Sequence, residues 1–394
     1  VPNTVDKLSI TPTVSDNGTV TIGEQKAENG KATEVSLKIG SQEIPITVTS
    51  TNGAVETTTL HVLRNVDGSA YTVPTRPQYH FSQAMGWSND PNGMLYYKGE
   101  WHLFFQHNQA RTTWGELEWG HAVSKDLIHW EELPRPLNYQ EDNGAMFSGC
   151  GVVDDENTSG LFGDEKGPGK GGLIALYTQN NELNGHRGQD QCIAYSKDNG
   201  RTWTKYKGNP ILKWDEDHLK DTAFRDPKVF RHDGKWFMVL AGGILRIYSS
   251  DDLIHWNIES TYKGSDDIGN PAGLRVETEC PDMYPLTADD GTTKWVISEG
   301  GRYYRIGDLK KIDGHWTFVQ DKDSDRYVMN FGPHSYAAMT YYIGNGETTN
   351  GKPENRRIMI NWASTWADGY CNNVDKVTGQ WGYNGFFNLQ TELN

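Results

Sequence analysis

Three short segments of this 394-residue chain set a carboxyl group beside a turn: Trp87-Ser88-Asn89-Asp90-Pro91-Asn92-Gly93, Phe224-Arg225-Asp226-Pro227-Lys228-Val229 and Glu279-Cys280-Pro281-Asp282. Carboxyl groups brought together suit acid–base work, in which one stays ionised while another gives and takes a proton. Arg225 adjoins Asp226 and can hold it ionised through a charge-assisted contact. Glu277 stands two residues before Glu279, and neighbouring carboxyls oppose each other's ionisation, which lifts one toward the pKa of a general acid. Each segment alone also fits a plain structural role, because Asp before Pro starts a β-turn and an exposed loop is often acidic. To act together, the three need a fold that brings them to one point.

The rest of the sequence supplies such a fold. The phrase Ser124-Lys125-Asp126-Leu127-Ile128-His129-Trp130 returns at Ser196 to Trp203 and at Ser249 to Trp256, and Gly314-His315-Trp316 continues the series, so its Trp recurs every 53 to 73 residues. A repeat of that length, built from short strands and turns, predicts a β-propeller, whose blades bury their faces against one another and whose inner strands surround one pocket. Long helical periodicity is absent, which argues against an α/β barrel or a doubly wound sheet. The expected architecture is all-β: a five-bladed β-propeller over 78–394, a linker over 66–77 containing Gly68, Pro74 and Pro77, and a small β-sandwich over 1–65. That first stretch is rich in Thr, Val, Ser and Gly, has no Trp and alternates as in Val35-Ser36-Leu37-Lys38-Ile39. Its hairpin between Ile46 and Arg64 resembles the closing hairpin of bacterial cadherin-like modules.

Composition narrows the partners. A formal charge of -15 repels nucleic acid and anionic membrane surfaces and leaves a neutral ligand as the better fit. No apolar run approaches the roughly 20 residues that span a bilayer. The sequence opens at Val1 with neither an initiator Met nor a basic, apolar leader, so the expectation is a soluble, secreted or cell-surface protein whose export signal is not in view. Cys150, Cys192, Cys280 and Cys371 are far apart without a C-x-x-C pair, so no metal, no cofactor and no dense disulfide framework is expected. The 14 Trp and 19 Tyr suit stacking on sugar faces, and equally the packing of β cores.

In order and approximate spacing the three acidic segments resemble the signature motifs of glycoside hydrolase family thirty-two, the invertases, inulinases and levanases. Leu103-Phe104-Phe105-Gln106, Trp114-Gly115, Trp119-Gly120-His121-Ala122, Phe147-Ser148-Gly149 and Asn361-Trp362 extend the likeness from about Arg76 to the C-terminus. The resemblance implies a retaining β-fructofuranosidase acting on levan or inulin, and on sucrose. It makes Asp90 the nucleophile at the anomeric C2, Glu279 the acid and then base, and Asp226 the partner of fructose hydroxyls and stabiliser of the cationic transition state. Glu279 would start protonated and Asp226 ionised, so their pKa values should be pushed apart. The resemblance also implies that Asn89, Gln106, Ser148 and Arg225 contact fructose hydroxyls and that Trp114, Phe147 and Trp362 wall the ring.

Several positions depart from that pattern. Ser88 stands where the family usually has Met, and His334 and Ser335 stand where an acidic residue followed by an aromatic is common. The family's C-terminal β-sandwich is missing from the sequence, and Gly382-Tyr383-Asn384-Gly385 is similar to levan-acting relatives, including fructotransferases. Three further readings stand beside hydrolysis: a fructosyltransferase, a sialidase suggested by the Asp-box-like Ser196 to Trp203, and a propeller that binds a polysaccharide without cutting it.

Overall fold

Alternating Thr, Val and Ile near the N-terminus give six short strands: β1 (Lys7–Ile10), β2 (Thr19–Ile22), β3 (Gln25–Ala27), β4 (Thr33–Ser36), β5 (Gly40–Thr49) and β6 (Val55–Arg64). They form two sheets, one pairing β1 with β4 and the other in the order β3-β2-β5-β6. Val20, Ile22, Ala27, Leu37, Ile44 and Val62 close a small core between them, as a period-two pattern requires of strands with one wet face. The structure, a computed structural model, describes residues 1, 5–15, 18–38, 40–64, 76–137, 144–181, 188–214, 223–262, 279–322, 326–330, 332, 334–343, 356–364, 366 and 382–393. The expected linker lies outside these residues except for Arg76 and Pro77, as do Glu277 and Cys371.

Five antiparallel meanders follow. Blade 1 is β7 (Gly86–Tyr97), β8 (Glu100–Asn108), β9 (Glu118–Ser124) and β10 (Trp130–Leu137). Blade 2 is β11 (Ala145–Asp154), β12 (Gly172–Asn180), β13 (Gln189–Ser196) and β14 (Thr204–Lys205). Blade 3 is β15 (Arg225–His232), β16 (Lys235–Ala241), β17 (Leu245–Ser250) and β18 (Asn257–Tyr262). Blade 4 is β19 (Asp282–Thr287), β20 (Thr293–Glu299), β21 (Tyr303–Ile312) and β22 (His315–Gln320), with β23 (Tyr327–Val328) also on β21. Blade 5 joins β24 (Tyr336–Thr340), β25 (Arg357–Trp362) and, beyond β26 (Tyr383–Asn384), the strand β27 (Thr391–Leu393). This is the five-bladed propeller that the repeat predicts.

The recurring phrase is the turn between the third and fourth strands of blades 1, 2 and 3. In blade 1, Ser124 Oγ accepts from Leu127 N at 2.8 Å, Asp126 Oδ1 accepts from His129 N at 2.8 Å, and Trp130 Nε1 donates to Leu127 O at 3.2 Å. The same contacts recur around Ser250, Asp252 and Trp256. In blade 2 the hydroxyl of Ser196 and the carboxylate of Asp198 cap Gly200 N and Thr202 N. The box therefore builds blades, and many of the tryptophans build cores: Trp87, Trp101, Trp119, Trp236 and Trp362 are among the largest fully buried side chains.

Two devices set the inner strands. Across the hub, Lys228 of β15 lies 3.3 Å from Asp282 of β19, which also accepts from Thr340 N of β24 at 2.6 Å. At the closing seam, β26 pairs in parallel with β7, and Tyr96 N and Met94 O exchange hydrogen bonds with Tyr342. Blade 1 is thereby joined to the last segment of the chain, which closes the ring.

Candidate active site

Four of the five inner strands break their regular pairing near their first residues. In β7, Ser88 faces His107 and Pro91 faces Phe105, so Asn89 and Asp90 oppose Gln106 together. Ser148 is the extra residue of β11, between Phe147 opposite Thr178 and Gly149 opposite Tyr177. In β15, Arg225 faces Ala241 and Lys228 faces Val239, which leaves Asp226 and Pro227 against one partner residue. β24 does the same at Ala337 and Ala338. A bulge adds one residue, interrupts the ladder and re-aims the side chain it carries. Pro91 and Pro227 fit there because proline, which lacks a backbone N–H, is tolerated at bulges. Asp226 adopts φ +61, a left-handed conformation that costs a non-glycine residue about 1 to 2 kcal/mol. Glu279 arrives from the turn before β19, where its carbonyl accepts from Gly300 N at 2.6 Å and Gly300 O accepts from Ala337 N at 2.9 Å.

A cavity of about 500 Å³ lies between these strand ends. It is lined by nine of the ten residues singled out from sequence: Asp90, Asp226 and Glu279 with Asn89, Gln106, Trp114, Phe147, Ser148 and Arg225. Trp362 is not on its wall. That ring is 1 % exposed and packs against Trp87 and Trp366, and the ring that faces the cavity is Trp366, four residues on. Sequence reading also passed over Leu117, Cys280 and Tyr336, which line the same space. Tyr336 had a signal beside it, since it follows the pair His334 and Ser335 where an aromatic is sought. Ser88 is fully buried and donates to Gln83 Oε1 at 2.7 Å, so its side chain does not shape the cavity. A second cavity of about 570 Å³, beside β10 and lined by Arg135, Arg201 and Trp203 among others, contains none of the predicted site residues.

Hydrogen bonds fix the acids relative to one another. Asp90 accepts from Asn89 Nδ2 at 3.0 Å, from Ser148 Oγ at 2.8 Å and from Cys280 Sγ at 3.4 Å. Asn89 is itself held by Trp87 Nε1 at 2.8 Å. Asp226 accepts from Cys280 N at 2.9 Å, so one residue touches the first acid through its thiol and the second through its backbone. Glu279 accepts from Arg225 Nη2 and from the Tyr336 hydroxyl, each at 2.5 Å. Gln106 is 1 % exposed and its Oε1 has no hydrogen-bond partner, an acceptor beside the cavity for a hydroxyl-bearing ligand.

The electrostatics reverse the expected assignment of the proton. Burial pushes Asp226 up to about 7, against the pull of Arg225 and with the charges of Glu279 and Asp90 adding to the rise. Burial raises Asp90 as well, opposed by the hydrogen bonds from Asn89 and Ser148. Burial alone would raise Glu279 too, but the Arg225 guanidinium and the bonds from Tyr336 and Arg225 outweigh it and hold its carboxyl below the usual range. The cause is geometric. Arg225 reaches past its sequence neighbour, 3.9 Å from Asp226 but 2.5 Å from Glu279. Asp226 therefore keeps a proton to higher pH than Glu279 does. The Cys280 thiol, raised by burial and by all three carboxylates, stays protonated. Among the described residues no group of three or more His, Cys, Asp or Glu side chains is arranged to hold a metal ion.

Comparison with known proteins agrees with the propeller and its cavity. The chain matches a fructan beta-fructosidase of Streptococcus mutans serotype c at 49 % identity over 333 residues, covering 84 % of this chain and 22 % of that protein. A levanase of Bacillus subtilis is 41 % identical over 325 residues, covering 78 % of this chain and 43 % of that protein. The crystal structure of an exo-inulinase from Aspergillus awamori superposes with a TM-score of 0.67 at 34 % identity, over 82 % of this chain and 65 % of that one. The chain thus spans between 22 % and 59 % of the length of these curated relatives, the Aspergillus awamori exo-inulinase included. Residues 80–390, which hold every blade strand except β27 and all the cavity residues named above, match the family model for the N-terminal domain of family 32 of the glycosyl hydrolases, and the chain belongs to that family.

Proposed function

We propose that this chain is the catalytic part of a retaining β-fructofuranosidase that hydrolyses fructans, levan or inulin, and sucrose by double displacement. The observation that carries the reading is the meeting of Asp90, Asp226 and Glu279 in one cavity from three separate blades, with donors and acceptors for sugar hydroxyls and aromatic rings around them. The relatives named fructan beta-fructosidase and levanase support a fructan as the substrate. Relatives named extracellular exo-inulinase, 37 % identical over 76 % of this chain, support a secreted or cell-surface setting.

In this reading Asp90 Oδ attacks C2 of the fructosyl unit while Glu279 gives a proton to the leaving oxygen, and a fructosyl ester forms on Asp90. Glu279 then takes a proton from water, the water oxygen attacks C2, and the ester bond breaks with retention. Asn89 and Ser148 orient the attacking carboxylate, and Asp226 balances the positive charge that develops on the ring. Gln106 and Arg225 bind hydroxyls, while Trp114, Phe147 and Trp366 enclose the ring. Where Asp226 is protonated in the free site, only the location of that proton must change. A substrate oxygen that separates Arg225 from Glu279 leaves the guanidinium to Asp226, so the proton passes from Asp226 to Glu279 with no change in net charge.

Replacing Asp90 by Asn removes the nucleophile and leaves the shape of the cavity. Fructose release from sucrose, inulin and levan should fall at least about 1000-fold, as when a covalent catalyst is deleted. Followed as a time course of products, activity above a few per cent of wild type would remove Asp90 from this role, and depletion of none of the three substrates by the wild-type chain would refute the reading as a whole.

A further inference from the structure

The segment that carries Arg225 and Asp226 is gripped from behind by side chains of a different blade. Its backbone is hard to hold by sheet pairing alone: Asp226 is left-handed, Pro227 has no N–H, and the bulge removes the ladder partner of Asp226 N. Three buried residues of blade 2 make up the loss. Thr178 Oγ1 of β12 accepts from Asp226 N at 3.1 Å and donates to Gln191 Oε1 of β13 at 2.9 Å. Gln191 Nε2 donates to Phe224 O at 2.8 Å. Gln189 Oε1, two residues back on β13, accepts from Phe224 N at 3.0 Å and from Arg225 Nη1 at 3.3 Å. Thr178 and Gln191 have no exposed surface and Gln189 has 7 %, so none of the three reaches a ligand, and none lines the cavity.

We infer that Thr178, Gln189 and Gln191 are positioning residues for the reaction: they clamp the backbone on both sides of Arg225 and orient its guanidinium, thereby fixing Asp226 and, through Arg225, Glu279. The inference rests on the proposed role of Asp226. A hydroxyl and two amides suit the task because each has both a donor and an acceptor, so the chain from Asp226 N to Phe224 O closes without an orphaned group. Loss of the hydroxyl would leave Asp226 N buried without its acceptor and free the bulge to relax, and a displacement near 1 Å is enough to change turnover about 100-fold.

The experiment compares kcat and KM on sucrose and levan, together with Tm, for the whole chain. Thr178→Val keeps the shape and drops the hydroxyl; its kcat should fall about 10- to 100-fold while KM moves less than about threefold. Thr178→Ser restores the hydroxyl and should recover most of the loss. Gln189→Met should show the same kcat pattern and serves if the valine variant folds poorly. Ile193→Val, a core truncation on the same strand, supplies the purely structural comparison and should lower Tm with kcat unchanged. Wild-type kcat in folded Thr178→Val and Gln189→Met, or a serine variant no better than the valine one, would overturn the clamp. Asp226→Asn separates this from the reading beneath it: full activity there removes the role of Asp226 itself, whereas an inactive Asp226→Asn beside a fully active Thr178→Val removes the clamp alone.

Discussion

Arg225 is the one cation among the described residues lining the cavity, and it stands between two carboxyl groups, Asp226 and Glu279. Its closer approach to Glu279 helps to hold that carboxyl low while burial raises Asp226. Tyr336 reinforces that hold, since its hydroxyl stabilises only the ionised form of Glu279 when it donates. Tyr336→Phe therefore raises the pKa of Glu279. A general acid is active while protonated, and in the substrate-bound site the proton is on Glu279, so the alkaline limb of kcat should move to higher pH, by about 0.5 to 1 unit for one hydrogen bond. A pH-rate profile measures this, and an unmoved or lowered limb would contradict the assignment of Glu279 as the acid. The three acids could be found from sequence because Asp-Pro and Glu-Cys-Pro are local patterns. The partner of Arg225 could not. Adjacency in the chain favours Asp226, but successive strand residues point to opposite faces and a bulge re-aims them again, so the nearer carboxylate in space comes from residue 279. Trp362 and Trp366 show the same limit, because a Trp in sequence does not say whether its ring meets the cavity or the core.

Strands and turns carry the geometry that residues alone do not. The connection after β20 brings Gly300 against the Glu279 carbonyl and Ala337. Gly301, at φ +62, lies so close to the next blade that a Cβ there would stand 1.8 Å from Ala338 N. No flexible side chain can yield at that point, only backbone. Gly301→Ala should cost about 2 to 4 kcal/mol through clash and left-handed strain together. It should also loosen Tyr336 from Glu279, so thermal unfolding and kcat are expected to fall together, and a variant with wild-type Tm would show that blades 4 and 5 pack less tightly than described. The Trp-closed turns were readable as a repeat because their hydrogen bonds are local, from Ser and Asp side chains to backbone within four residues. Bulges left no comparable mark. They arise from a mismatch between two strands, and only the prolines in β7 and β15 hint at them.

Across the whole molecule, function and stability pull on the same buried carboxyl. Asp226 titrates near 7 in the folded chain and near 3.8 when exposed, so between those values the folded state binds more protons than the unfolded one. Stability contributed by this group is therefore highest below pH 3.8 and declines as pH rises toward 7. Asp226→Asn removes the buried charge, and at pH 7 to 8 it should raise stability by at least about 1 kcal/mol, a gain of a few degrees in Tm, while activity is lost. Calorimetry at pH 5 and pH 8 should show the larger gain at the higher pH, and an equal or reversed difference would mean that the carboxyl is better solvated than its 2 % exposure indicates. The closing seam has another consequence. β7, which carries Asp90, leaves the ribosome well before its parallel neighbour β26 and the hydrogen-bond partner Tyr342, and cannot pair with them until they too have been synthesised. Pairings across such long separations form late and slowly. The cavity is accordingly among the last features to assemble, and a nascent chain carries its acids scattered until the circle is complete.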